Sequence, residues 1–411
     1  MSPWFSYPKT HRRTKRAVVV GAGIAGCQIS WHLAKLGWNV TIIEREKGLS
    51  TQASGNLAGI IAPQMSATPS PTETFYWQAF DYTISHLKSL TDRGIRLDWF
   101  DCGVLQLAHS AREKQRREAL MQRALADSFI QFFNTSQATA ISGVPCQYPA
   151  SFHPQAGFIN PKSWCQSLLN DSQCNILFAT EATTLSQDET GQWIIEQSDG
   201  AEIATAEVVV FSNGAALNKL DPCKSLALNH VLGQTSLADT LESDLSPKCA
   251  INHEGYLTPA YNHQHVFGAT FDRNYDRVEI NTNFDQRNLD QLEKHLPDLS
   301  EGWKKIRSGH ASLRSTTPDR LPYAGGLPDF DYYRQTYADI KHGKREELFA
   351  AAQYHDGLYV LGGLGARGLT SSPLCARILS EIIDGSSNTF WGNFRETLHP
   401  ARFLIKQLKQ A

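Results

Sequence analysis

Apolar residues at 17–20, a glycine-rich turn, and then apolar positions Ile24, Ile29, Leu33 and Leu36 predict a strand, a tight turn and an amphipathic helix in succession. A second apolar strand closes at Glu44, so the opening forms a βαβ unit. The following stretch, STQASGNLAGIIAPQMSATPSPT, is too rich in Ser, Gly, Ala and Pro for a regular element. It is also too apolar at Ile60 and Ile61 for a free linker, and reads as an ordered functional loop. Residues 75–93 predict a helix, and SAREKQRREALMQRALADS predicts a strongly charged one with Leu120, Met121 and Leu125 as its packing stripe. Strands are predicted at 193–197 and 207–211, the second running into the small-residue turn SNGAA, as a parallel strand does at a ligand crevice. Between 229 and 277 the pattern changes to short strands and turns, which predicts an antiparallel sheet. A strand at 358–361, a glycine loop and a helix from about Ser371 then restore the βα pattern.

These elements predict an α/β chain (α+β overall): a Rossmann-like nucleotide-binding domain with an inserted antiparallel-sheet substrate domain. The first is discontinuous, over 17–65, 155–228 and 318–411; the second takes 66–154 and 229–317. Residues 1–16, polar and Pro-containing, are expected to form a linker or arm, with order beginning near Arg16. A length of 411 residues with 41% apolar positions suffices for a well-buried core. The formal charge of -2 rules out a global cationic field, so any contact with nucleic acid must come from local patches. Eight cysteines without a CxxC pair read as reduced core thiols rather than bridges or ligands, so no metal is expected and the cytosol is the simplest compartment. No run approaches the roughly 20 apolar residues of a membrane span, and the N-terminus lacks an apolar segment of signal length.

Chemistry enters at VVVGAGIAG. Gly21, Gly23 and Gly26 fit GxGxxG: the first permits a tight turn, the second lets backbone approach a pyrophosphate, and the third lets helix pack on strand. The helix beginning at Ile24 and Ala25 turns its N-terminus to the phosphates. Glu44, followed by Arg45, lies near the spacing of about 20 residues expected for a carboxylate on ribose hydroxyls. NAD and FAD share this fingerprint. A second glycine loop at 362–368 entering another helix favours FAD, because a flavin ring offers pyrimidine oxygens to backbone N–H groups.

With VGAGIAG, FSNGA, LRSTTPDRLPYAG and GLGARGLT, the chain resembles the glycine-oxidase and D-amino-acid-oxidase flavoenzymes. QASGNLAGIIAP, GFINP, GYLTPA and VLGGLGARGLTSSPLCA bring it closer to the FAD-dependent domain of MnmC-type tRNA wobble-uridine modification enzymes. The resemblance implies non-covalent FAD, since Ser312 stands where some relatives tether the flavin through cysteine. It places Ser54, Gly55, Asn56 and Gly59 around the pyrophosphate and ring edge, with Asn213, Gly214, Gly362, Gly365, Ala366, Arg367, Gly368, Leu369 and Thr370 completing the cofactor contacts. It further implies that Arg314 pairs with a substrate carboxylate through a planar fork that lysine cannot copy, that the Tyr256 hydroxyl assists, and that Arg367 lies by flavin or substrate. Asp319, Pro318 and Pro322 read as turn-makers.

The activity implied is oxidative removal of the carboxymethyl group from a carboxymethylaminomethyl-uridine of tRNA, leaving an aminomethyl group and glyoxylate. That substituent is an N-substituted glycine, which links the chemistry to glycine oxidation. A small-molecule glycine or sarcosine oxidase, and an FAD-containing interaction module without turnover, remain competing readings. Basic candidates for tRNA are residues 12–16, the charged helix from Arg112 to Arg123, the group Lys304, Lys305 and Arg307, and the run 341–345. The methyltransferase domain that precedes the flavin domain in the parent family is not expected here, so that activity would belong to a partner domain or protein outside this chain.

Overall fold

The computed structural model describes residues 2–7, 14–240, 245–275, 277–300, 303, 306, 308–386, 394 and 396–410. The chain divides into two compact units: Met1–Thr51, Cys165–His230 and Arg314–Ala411 form the first, Gln52–Trp164 and Val231–Leu313 the second.

The first unit is built on a six-stranded sheet in the order Tyr323–Pro328, Tyr354–Gly362, Val208–Phe211, Arg16–Val20, Asn39–Ile43, Asn175–Leu177. Five strands run parallel and Tyr323–Pro328 closes one edge antiparallel. Val208–Phe211 is buried at every position, as expected of a parallel strand covered on both faces. Helices Ile24–Lys35 and Gly368–Asp384 pack on each other, and the latter begins three residues before the expected Ser371. Trp193–Glu196 lies in a separate three-stranded antiparallel sheet that sends Ile195 into the main core.

Order also begins earlier than expected. Trp4 and Phe5, read from sequence as part of a linker, pack against Tyr333, Tyr337, Phe349 and Ile405, because two large aromatics recover more free energy buried than in water.

The second unit carries an eight-stranded sheet in the order Ser308–Thr316, Asn229–Asp239, Gln264–Gly268, Tyr256–Leu257, Ala250–Asn252, Val104–Leu107, Ala150–His153, Gln131–Phe133. Its central pairings are antiparallel except between Ala250–Asn252 and Val104–Leu107. A small sheet joins Gly59–Ile61, Gly157–Ile159 and Trp99–Phe100. That pairing draws 52–65 and 155–164 into this unit, so the breaks fall at 51 and 164 where hydrophobic pattern suggested 65 and 154. The charged helix is shorter than its pattern, Ala111–Met121, with Leu120 buried and Met121 47% exposed, so the expected stripe is not continuous. Among the described residues no helix is long and apolar enough to cross a membrane.

Candidate flavin site

In the first unit, the strand Arg16–Val20 ends in a turn that only glycine fits. Gly21 has φ +104°, donates its N–H to the Ile43 carbonyl at 2.8 Å, and leaves so little room that a Cβ would lie 2.8 Å from the Ser212 carbonyl oxygen. One turn later a Cβ on Gly26 would overlap the Gly21 carbonyl, so helix and strand can meet here only through glycine. Ile24 and Ala25 are buried, and their helix opens at Gly23 with no side-chain cap, the arrangement that presents N–H groups and a positive dipole end to phosphate.

Glu44 stands at the end of the neighbouring strand. Its two carboxylate oxygens accept from the backbone N–H groups of Ala22, at 2.7 Å, and Glu46, at 2.9 Å. Each oxygen keeps a lone pair for a further donor, which is what a ribose diol supplies. Arg45 is exposed and pairs with Glu46 at 3.3 Å, pointing to charge balance at the rim rather than to a buried contact. On the other side of the first strand, Val208–Phe211 runs into Ser212, Asn213 and Gly214, tied by the Ser212 N–H to the Val20 carbonyl at 2.9 Å.

The second glycine turn belongs to the same unit. Strand Tyr354–Gly362 passes through Gly365, at φ +57°, into the short turn Gly365–Arg367 and the helix Gly368–Asp384. Thr370 is buried, Leu369 and Gly368 are half-buried, and Ala366 and Arg367 are exposed; the Ser371 hydroxyl donates to the Arg367 carbonyl at 2.9 Å. The isolated bridge between Thr316 and Leu364 joins this turn to the end of the strand that bears Arg314. Arg314 itself is half-buried. Two of the best sequence candidates, the arginine segment and the 362–368 loop, are therefore neighbours in the fold.

Ser54, Gly55, Asn56, Gly59 and Tyr256 lie in the second unit. There the Asn56 amide nitrogen donates to the Tyr256 hydroxyl at 2.6 Å and to the Ala58 carbonyl at 2.8 Å, while the Thr235 hydroxyl donates to Asn56 Oδ1 at 3.1 Å. Tyr256 in turn donates to the Ala58 carbonyl at 3.2 Å, so Asn56, Tyr256 and Ala58 form one hydrogen-bonded group. Thr235 escaped the sequence reading because its partner lies far away in the chain; its strand is anchored by Gln234 and Ser236, both donating to the buried Asp285 carboxylate.

Asp319 holds its turn as expected, accepting from Thr317 and from the Leu321 N–H, and also receives a two-pronged contact from Arg402 at 2.8 and 2.9 Å. Burial works against its charge, but the Arg402 fork and these donors outweigh it and hold the carboxyl below its ordinary value. Of the basic candidates, Arg117 is spent on the Ala150 and Phe133 carbonyls and Arg123 on the buried Glu73 at 2.6 Å. Residues 341–345 are exposed; Arg12 and Arg13, Lys304, Lys305 and Arg307 fall outside the described residues.

Ser50 Oγ, Ser212 Oγ and Asn213 Oδ1 provide a test of whether these residues suit a dinucleotide. All three are buried without a hydrogen-bond partner among the described residues, on segments that meet Gly21 and Ala22, as the Ser50 N–H to Ala22 carbonyl bond at 3.2 Å shows for the first. Buried polar atoms left unpaired are destabilising, and the pyrophosphate and ribose of FAD carry the oxygens and hydroxyls to satisfy them. Ser50 and Ser212 were not among the sequence candidates; their position beside matched motifs was the available signal.

Residues 16–382 match the DAO family model, described as FAD dependent oxidoreductase. Among curated relatives, the tRNA 5-methylaminomethyl-2-thiouridine biosynthesis bifunctional protein MnmC of Pseudomonas fluorescens (strain Pf0-1) is 33% identical over 99% of this chain, and its Chromobacterium violaceum counterpart is 29% identical over 99%. The chain spans 62% of the length of each. Among solved structures, glycine oxidase from Geobacillus kaustophilus superimposes with a TM-score of 0.75 at 19% identity, covering 94% of this chain and 99% of that one. L-proline dehydrogenase from P. horikoshii gives 0.73 at 16%, covering 96% and 99%. The glycine cradle, the carboxylate at the strand end, the unpaired polar atoms between them and the matched family model together place this chain in the DAO family of FAD-dependent oxidoreductases.

Proposed function

We propose that the protein removes the carboxymethyl group from 5-carboxymethylaminomethyl-(2-thio)uridine at the tRNA wobble position, giving 5-aminomethyl-(2-thio)uridine and glyoxylate in the cytoplasm. The observation that carries this is the 33% identity, across 99% of the chain, to a relative named for 5-methylaminomethyl-2-thiouridine biosynthesis in tRNA. The chemistry FAD supplies when bound is acceptance of a hydride from the glycine-like methylene. Water then adds to the resulting imine carbon, and cleavage of the C–N bond releases glyoxylate and the primary amine.

The residues of this chain position and bias that reaction. Arg314 clamps the substrate carboxylate with two parallel hydrogen bonds, and loss of such a pair is worth about 2–5 kcal/mol. Tyr256, whose hydroxyl is held by the Asn56 amide, assists in holding the substrate through its O–H. Arg367 stands at the N-terminus of the helix Gly368–Asp384 as a second cation for flavin or substrate. Ser54, Gly55, Asn56 and Gly59 wrap the cofactor, which is held without a covalent bond.

An anaerobic titration followed by flavin absorbance tests the reading. Fully modified tRNA is expected to bleach the flavin and free glycine to leave it oxidised; bleaching by glycine alone would instead make the protein a small-molecule amine oxidase, and no bleaching by either would make it a non-catalytic module. Arg314→Lys is expected to retain FAD and lose reduction by tRNA, and normal reduction by that variant would remove the clamp.

A further inference from the structure

We propose that Phe100 is a stacking platform for the base of the substrate nucleoside, and thereby the contact that separates a nucleoside-bound glycine unit from the free amino acid. The inference rests on the tRNA reading above.

Trp99–Phe100 is a two-residue strand, and Phe100 pairs in register with Phe158 of Gly157–Ile159. The two rings lie 4.6 Å apart at 12°, a stacked pair. Tyr261 meets Phe100 edge-on at 5.8 Å and 66°, and its own hydroxyl is fixed on Asp98 at 2.6 Å. Gly157 sits so close that a Cβ there would overlap the Phe100 carbonyl, which leaves the strand no room to shift. Phe158 is 1% exposed while Phe100 keeps 37%, so the inner ring of the stacked pair is buried and the outer one meets solvent.

A ring held this firmly loses little freedom when a planar group lands on it, and every base has a π-face to offer. The placement gives the platform its purpose. Phe158 and Ala58 share one apolar cluster with Tyr256 and Tyr261, so the ring that backs Phe100 packs in the same cluster as the tyrosine assigned to assist in holding the substrate. In 5-carboxymethylaminomethyluridine the carboxylate hangs on a short chain from the base itself. Free glycine has no base and gains nothing from this surface.

The test is steady-state kinetics of the FAD-loaded enzyme with modified tRNA. Phe100→Leu keeps the apolar contact with Phe158 and removes the stacking face. It is expected to raise KM by about fivefold to 150-fold, the range base–aromatic stacking spans, with kcat within about twofold and normal flavin content. Phe100→Trp is expected to restore the wild-type KM. A Leu variant with unchanged KM, or a Trp variant as weak as Leu, overturns the platform while the wobble-uridine activity stands. Wild-type enzyme inert toward the tRNA overturns that activity and the platform together.

Discussion

Glu44 divides its two oxygens between the Ala22 and Glu46 N–H groups, and this makes it the hinge of the nucleotide cradle at the residue scale. Replacing one oxygen with an amide nitrogen would set a donor against a backbone donor and remove one acceptor for the ribose. Hydrogen bonds to charged groups contribute about 1.5–3 kcal/mol, so Glu44→Gln is expected to weaken FAD binding by roughly tenfold to 150-fold. Fluorescence titration of the apoprotein with FAD reads this directly, and an unchanged Kd would remove Glu44 from the ribose site. Gly21, Gly26 and Glu44 were legible in the sequence because a phosphate turn constrains residues close together in the chain. Ser212, Thr235 and the Asn56–Tyr256 bond were not, since each depends on partners brought together only by the sheets.

At the scale of elements, the opening segment shows how an aromatic pair overrides a polar context. Trp4 meets Tyr337 edge-on at 5.8 Å and Phe349 at 6.0 Å, and its carbonyl accepts from the Tyr333 hydroxyl at 2.7 Å. Trp4→Ala is expected to destabilise the first unit by about 3–5 kcal/mol, measured as a lower urea midpoint; a shift below about 1 kcal/mol would mean that the segment is only draped on the surface. The parallel strands at Arg16–Val20 and Val208–Phe211 could be read from apolar runs alone. The small sheet of Gly59–Ile61, Gly157–Ile159 and Trp99–Phe100 could not, because strands of two or three residues carry too little periodicity. The ends of the charged helix were equally hidden: Arg123 folds back onto Glu73, a partner from another helix.

For the molecule as a whole, acid is the sharpest lever. Burial lowers His86 to about 4, His153 to about 4 and His253 to about 3; Arg93 adds to the effect at His86, Arg116 adds to it at His153 against the Phe129 carbonyl, and the neighbouring His295 and His109 add to it at His253 against Glu254. All three belong to the second unit. Unfolded histidines take up a proton near pH 6.5, whereas these folded ones resist it, so between those values the unfolded chain binds more protons. Stability is therefore present in full above about pH 6.5 and is lost as pH falls toward about 4, at up to about 1.4 kcal/mol per pH unit for each histidine. Urea unfolding at pH 7.5, 5.5 and 4.5 is expected to show a steadily falling midpoint, and a flat profile would contradict the burial of these rings. The order of the main sheet has a consequence for synthesis as well. Val208–Phe211 lies between Arg16–Val20 and Tyr354–Gly362, so a nascent chain leaving the ribosome carries a bare, fully apolar sheet edge until residue 362 has emerged. During that interval the growing polypeptide is open to intermolecular strand pairing along that edge.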